Sequence, residues 1–282
     1  MNRTNKYSQA RPQPLARLPA AARVGMFLLT LLALWLPWAI PFYLIWGEVG
    51  PVSGLSLGLL YSLFILLLRE WGQRVHRQKQ PFRFYGLPLS RQLGREAGLG
   101  WLLGLGLIGI LFGSQWGLGW VGFEGFSGHF LKIVPEGLLV GLGIGFAEEL
   151  LFRGWLQQEL ELDYQPNSAV LIQALIFAAL HFIRPLEVIL ATAPQFLGLV
   201  LLGLSLGWAK QAWGRRLGMA IGLHGGLVAG YYWVNVGGLF RPSAGIPEWL
   251  TGVGGNPLAG LMGLVLLLAL AGVMGYRAAT AP

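Results

Sequence analysis

The chain has 282 residues, of which 55% are hydrophobic and 11% charged, with a net charge of +8 and no cysteine. Soluble domains carry about 25% charged residues, so this composition excludes one and leaves an integral membrane protein. The absence of cysteine excludes disulfides, thiolate metal sites and a cysteine nucleophile.

Residues 1–25 are basic and contain no acid. The apolar run that follows is too long for the core of a signal peptide, so this segment is expected to be a cytoplasmic basic tail. Crossing the bilayer core takes roughly 20 apolar residues. Such runs recur near 26–46, 51–68, 97–120, 134–156, 168–183, 188–208, 218–236 and 257–275. They predict an all-α polytopic membrane protein with about eight transmembrane helices. With the N-terminus inside, Arg3, Lys6, Arg11, Arg17, Arg23, the basic residues of 69–96, Lys210, Arg215, Arg216 and Arg277 share the inner side. Only Lys132, Arg184 and Arg241 fall outside. That asymmetry follows the positive-inside rule and predicts that both termini are cytoplasmic; the expected location is a prokaryotic-type inner membrane. The basic charge is therefore topological, with some attraction to anionic lipid. The expected partner is the lipid bilayer and not nucleic acid, because a basic patch alone is only an electrostatic footprint.

Residues 26–133 read as the N-terminal transmembrane helices with a basic inner loop at 69–96. Within them Gly104, Gly106 and Gly109 spell GLGLIG, a dinucleotide-binding pattern that has meaning only between a strand and a helix start. Inside a span it reads as helix packing. Residues 134–236 hold the polar chemistry. Gly141, Gly143 and Gly145 make a smooth helix surface that lets neighbours approach. Glu148, Glu149 and Arg153 follow at membrane depth, where ionisable side chains are expensive and mark function. Glu149 and Arg153 are four residues apart and form a favourable helical ion pair. Glu148 points about 100° away and has no local partner. Two readings stay open on these three residues: a structural cluster bridging helices, or a working site.

The polar stretch QQELELDYQPNS, residues 157–168, is expected to turn the chain outside the inner face. With the turn at 165, the two glutamates precede it by about as many residues as His181 follows it, so the groups reach one height in an antiparallel hairpin. His224 enters from another span, roughly 10 Å beyond the basic stretch KQAWGRR. Three spans thus bring polar groups to a single level, in a buried polar site open towards the cytoplasm. His76 and His129 lie in loop-like settings and read as bland. Residues 237–282 form a turn-rich outer loop and the last transmembrane helix.

The set Glu148-Glu149-x-x-x-Arg153, Phe177-x-x-x-His181 and His224 resembles the CPBP family of intramembrane proteases, also called the CAAX-protease or Abi family. The likeness spans about residues 135–235. The family commonly has Asn four residues after the last histidine, where this chain has Val228. Tyr231, on the same helical face, reads as a packing residue. Amide hydrolysis needs an activated water, a proton for the leaving amine and a stabilised oxyanion. The resemblance implies an intramembrane endopeptidase acting on a membrane-associated peptide or protein at the cytoplasmic face. Glu148 would be the general base on water, His181 would orient or share that proton, and His224 would face the oxyanion. Glu149 with Arg153 would fix the helix and tune Glu148. That scheme requires no cofactor; its rival places zinc on Glu148, His181 and His224. The alternative to an enzyme is an inactive family member serving as membrane scaffold or bacteriocin-immunity protein. A transporter coupling its buried charges to ions is a third class.

Overall fold

The computed structural model describes residues 14–47 and 50–281, so the first half of the expected basic tail lies outside the described residues. The chain divides into two compact units, one ending at Phe84 and the other beginning at Tyr85. The first contains α1 (Ala20–Trp46), α2 (Gly50–Arg74) and the single turn α3 (Pro81–Phe84). Phe27 of α1 sits edge-on to Phe64 and Trp71 of α2, at 5.8 and 5.4 Å between ring centroids. Farther along the pair, the Trp35 indole donates to the Ser56 carbonyl.

The second unit opens with α4 (Arg91–Gly117), whose first turn is capped by the Ser90 hydroxyl accepting the Leu93 N–H. Strand β1 (Val121–Phe123), α5 (Phe130–Glu149), a π-helical segment (Leu150–Leu156) and α6 (Gln157–Leu160) follow. Next come α7 (Pro166–Leu180), α8 (Leu186–Thr192), α9 (Gln195–Ala212) and α10 (Gly218–Asn235). Strand β2 (Phe240–Pro242), α11 (Glu248–Thr251) and α12 (Leu261–Thr280) complete the chain. The two short strands pair antiparallel, with Gly122 opposite Arg241. Helix α10 packs between α4 and α5, while α9 packs between α7 and α12.

The molecule is an all-α polytopic membrane protein. Among the described residues, α1, α2, α4, the continuous run from Phe130 to Leu160 and α12 are each long and apolar enough to cross a membrane. Helices α8 and α9, bent by 72°, together pass the same test. The run expected as one span at 188–208 is therefore broken, and α7 has only 15 residues. It ends at Leu180, which leaves His181 at its C-cap, outside the last turn.

The polar stretch at 157–168 also differs from expectation. Gln157, Gln158, Glu159 and Leu160 continue the helix and are buried; the chain turns only after them. Several of their polar atoms find partners inside the protein, which offsets part of the penalty that would have driven them into water. Gln157 donates to Glu161, and Lys210 reaches Gln158. The basic loop at 69–96 is likewise mostly helical, taken up by the end of α2, α3 and the start of α4.

The glycines do pack helices, although only some of those expected. Gly104 meets the backbone of α10, while Gly106 and Gly109 face open space. On α5 the contacting set is Gly137, Gly141 and Gly145, spaced four apart; Gly143 faces away. A methyl group on Gly145 would lie 2.8 Å from both Gly225 N and Ile221 O. The 3.6-residue period explains the correction, because positions two apart point to different sides of a helix.

Candidate active site

Glu148 and Glu149 occupy the last turn of α5, immediately before the backbone widens into the π-helical segment. Glu149 is fully buried, and its Oε1 accepts Arg153 Nη1 at 2.8 Å. The expected ion pair is present. The same oxygen lies 2.8 Å from His224 Nδ1, a contact the sequence spacing did not reveal. Glu149 therefore joins the α5 carboxylates to α10 and fixes the ring of His224. Arg153 in turn reaches the Gly203 carbonyl with Nη2 at 3.3 Å, and its guanidinium lies 4.5 Å from the centre of the Phe177 ring. A planar cation between a carboxylate, a carbonyl and an aromatic face satisfies the charge that burial would otherwise penalise.

Glu148 is placed differently. Its side chain is 29% exposed, and its Oε2 stands 3.9 Å from His224 Nε2. That separation is too long for a hydrogen bond and short enough for a strong electrostatic interaction. Among the described residues Glu148 Oε2 has no hydrogen-bond partner. Glu149 thus engages two partners through Oε1, while Glu148 has none for Oε2 and is the acid that lines the chamber.

His181, at the end of α7, has Nδ1 2.7 Å from the Phe177 carbonyl. A proton on Nδ1 makes that contact a hydrogen bond and leaves Nε2 as an acceptor. Phe177 separates the two histidines, lying 4.6 Å from the His181 ring and edge-on to His224 at 6.2 Å. His76 and His129 stand apart: His76 packs on Phe84, and His129 precedes the first turn of α5.

Glu148, His181 and His224 line one chamber of about 300 Å³ whose remaining walls are mainly apolar. Tyr231 and Asn256 also reach it. The Tyr231 hydroxyl donates to the Gly255 carbonyl at 3.0 Å, tying α10 to the loop before α12. Asn256 escaped the sequence reading because it sits in that loop, where Gly-Gly-Asn-Pro signals a turn and no chemistry. Its Oδ1 accepts the Leu258 N–H at 2.9 Å. Val228 faces the same chamber, so the position that would hold the family's amide is an apolar wall.

Among the described residues no three His, Cys, Asp or Glu side chains gather closely enough to hold a metal ion. His224 Nδ1 is engaged by Glu149, which leaves Nε2 as the ring nitrogen that faces Glu148, 3.9 Å away.

Residues 130–230 match the family model described as Rce1-like, type II CAAX prenyl endopeptidase Rce1-like. The matched segment contains Glu148, Glu149, Arg153, His181 and His224. No curated protein and no solved structure matches the chain.

Proposed function

We propose that this chain, whose residues 130–230 match the Rce1-like family model, is a CAAX-protease-like intramembrane endopeptidase that hydrolyses a peptide bond with glutamate-activated water. One observation carries the reading. His224 is clamped at Nδ1 by a buried carboxylate and turns Nε2 towards the partnerless oxygen of Glu148 at the edge of an apolar chamber. Glu148 also differs from the ion-paired Glu149 in being partly exposed and in lining that chamber, where a substrate and a water can reach it.

Glu148 takes a proton from water as the water oxygen forms a bond to the substrate carbonyl carbon. His181, holding the Phe177 carbonyl through Nδ1–H, orients that water at Nε2. His224 in its imidazolium form donates from Nδ1 to Glu149 and from Nε2 to the oxyanion. Collapse of the tetrahedral adduct breaks the C–N bond, and Glu148 returns its proton to the departing amine. The apolar walls exclude other water and hold the apolar residues that flank the scissile bond. The substrate is a membrane-associated peptide or protein presented at the cytoplasmic face. The description of the matched family makes a prenylated CaaX peptide the first probe.

The test compares wild type and Glu148→Gln, expressed to equal levels, by terminal-specific mass spectrometry of membrane peptides. A parallel assay uses a purified protein and a quenched-fluorescence farnesylated CaaX peptide. New peptide ends that depend on Glu148 are expected. Identical end profiles from two folded proteins would remove the catalytic assignment and favour the scaffold, a reading supported by the apolar Val228 wall.

A further inference from the structure

The π-helical segment changes which backbone groups are bonded. At its end the Gln157 N–H bonds to the Phe152 carbonyl, five residues back. In an α-helix that N–H would have closed on Arg153 O. The Arg153 carbonyl is instead met by Lys210 Nζ at 2.8 Å, and the lysine is completely buried. Gln158 Oε1 at 3.5 Å and Glu161 Oε2 at 3.8 Å complete its surroundings, and Glu161 also pairs with Arg215 near the surface.

Lys210 lies on α9, seven residues after Gly203. Seven residues make two turns, so both fall on one face of that helix. Gly203 O accepts from the Arg153 guanidinium, and Lys210 donates to the Arg153 main chain. Helix α9 therefore holds Arg153 at both ends. From there the contacts run to Glu149 and on to His224 Nδ1. A buried ammonium is expensive at this depth. The local reason for it is the carbonyl that the π-turn sets free.

We propose that Lys210 is a positioning residue for His224: it pins the widened turn so that Arg153 presents Glu149 to the imidazole. The inference rests on the reading of His224 as a reacting group only for its kinetic consequence. Its structural content is independent of activity.

The test uses full-length protein in detergent with ¹⁵N-labelled histidine. There are four histidines, so each ring resolves, and His224→Gln assigns the signal of interest. In wild type, His224 is expected to show a single hydrogen-bonded Nδ1–H. Lys210→Met, which matches the length of the chain and removes the donor, is expected to broaden or split that signal while His76 and His129 keep theirs. Lys210→Arg, which retains a donor, is expected to preserve it. Against the farnesylated reporter, Lys210→Met is expected to lower kcat by about tenfold to a hundredfold with little change in KM, the signature of misplaced reacting groups. An unchanged His224 spectrum in folded Lys210→Met overturns the proposal. Should Lys210→Met fail to fold, Lys210→Gln takes its place under the same criteria. Failure of both variants to fold, with Lys210→Arg intact, makes the lysine a folding brace and overturns its positioning role. A wild type that cleaves nothing, with the His224 signal still dependent on Lys210, refutes the protease and leaves the positioning standing.

Discussion

Replacing Arg153 by Met keeps much of the side-chain volume and removes the charge that faces Glu149. Both partners have no exposed side-chain surface and stand 2.8 Å apart. At an effective dielectric constant of about 20, two unit charges at that separation attract by about 6 kcal/mol. Burial of both charges offsets part of this, and deleting one partner of such a pair costs about 3–5 kcal/mol. The contact with the Phe177 face adds about 1–2 kcal/mol in a dry setting, although it overlaps with the same burial. The expected loss for Arg153→Met is therefore about 3–5 kcal/mol, measured by steric trapping in bicelles. Glu149→Gln combined with Arg153→Met leaves no orphan charge on Glu149, so the double variant is expected to recover about 1–3 kcal/mol relative to the sum of the singles. A loss under about 1 kcal/mol for Arg153→Met, or strict additivity, would show that Glu149 is not held by this pair.

Three further outcomes follow from the packing and hydrogen bonds. Gly145→Ala drives a methyl group into the α10 backbone and is expected to destabilise by about 1–3 kcal/mol, whereas Gly143→Ala meets open space and is expected to gain about 0.5 kcal/mol from helix propensity; equal effects in the same bicelle measurement would contradict the packing face. Tyr231→Phe removes the bond to Gly255 O and is expected to speed hydrogen–deuterium exchange across residues 252–260, with α10 unchanged; unaltered exchange there would refute the tie. Glu96→Gln breaks the two-pronged contact with Arg216, whose side chain is a quarter exposed, so a loss of about 1 kcal/mol that shrinks with added salt is expected, and a salt-independent loss would point to packing instead.

The sequence made the class of the molecule and the gathering of Glu148, His181 and His224 around one chamber legible, because ionisable groups are rare enough in apolar runs to stand out. Arg153 pairing with Glu149 followed from helical spacing alone. The bond from Glu149 to His224 did not, since spacing within one helix says nothing about which carboxylate a second helix will meet. Lys210 was hidden by its neighbours: in KQAWGRR it reads as one more inner-face cation, yet it is fully buried while Arg215 remains partly exposed. Nor does periodicity announce a π-turn. The shift of one residue in the bonding ladder leaves the composition of Leu150–Leu156 looking like ordinary helix. Asn256 was lost for a further reason, because a loop's path back into the protein depends on tertiary contacts and not on its local turn residues.

Helix α10 meets α4 and α5 through Gly100, Gly104, Gly141, Gly145, Gly222 and Gly225, largely backbone against backbone. Main chain cannot change rotamer, so this side of the chamber behaves as a rigid rail with His224 bolted to it. The opposing side is built from leucines such as Leu199, Leu202, Leu266 and Leu267, whose side chains can swing into alternative staggered states. Differences in the shape of an occupant are therefore absorbed by the leucine wall, while the distance between His224 and Glu149 stays constant. If the chamber acts as proposed, tolerance to varied cargo and constancy of the reacting geometry fall to different walls of one small room.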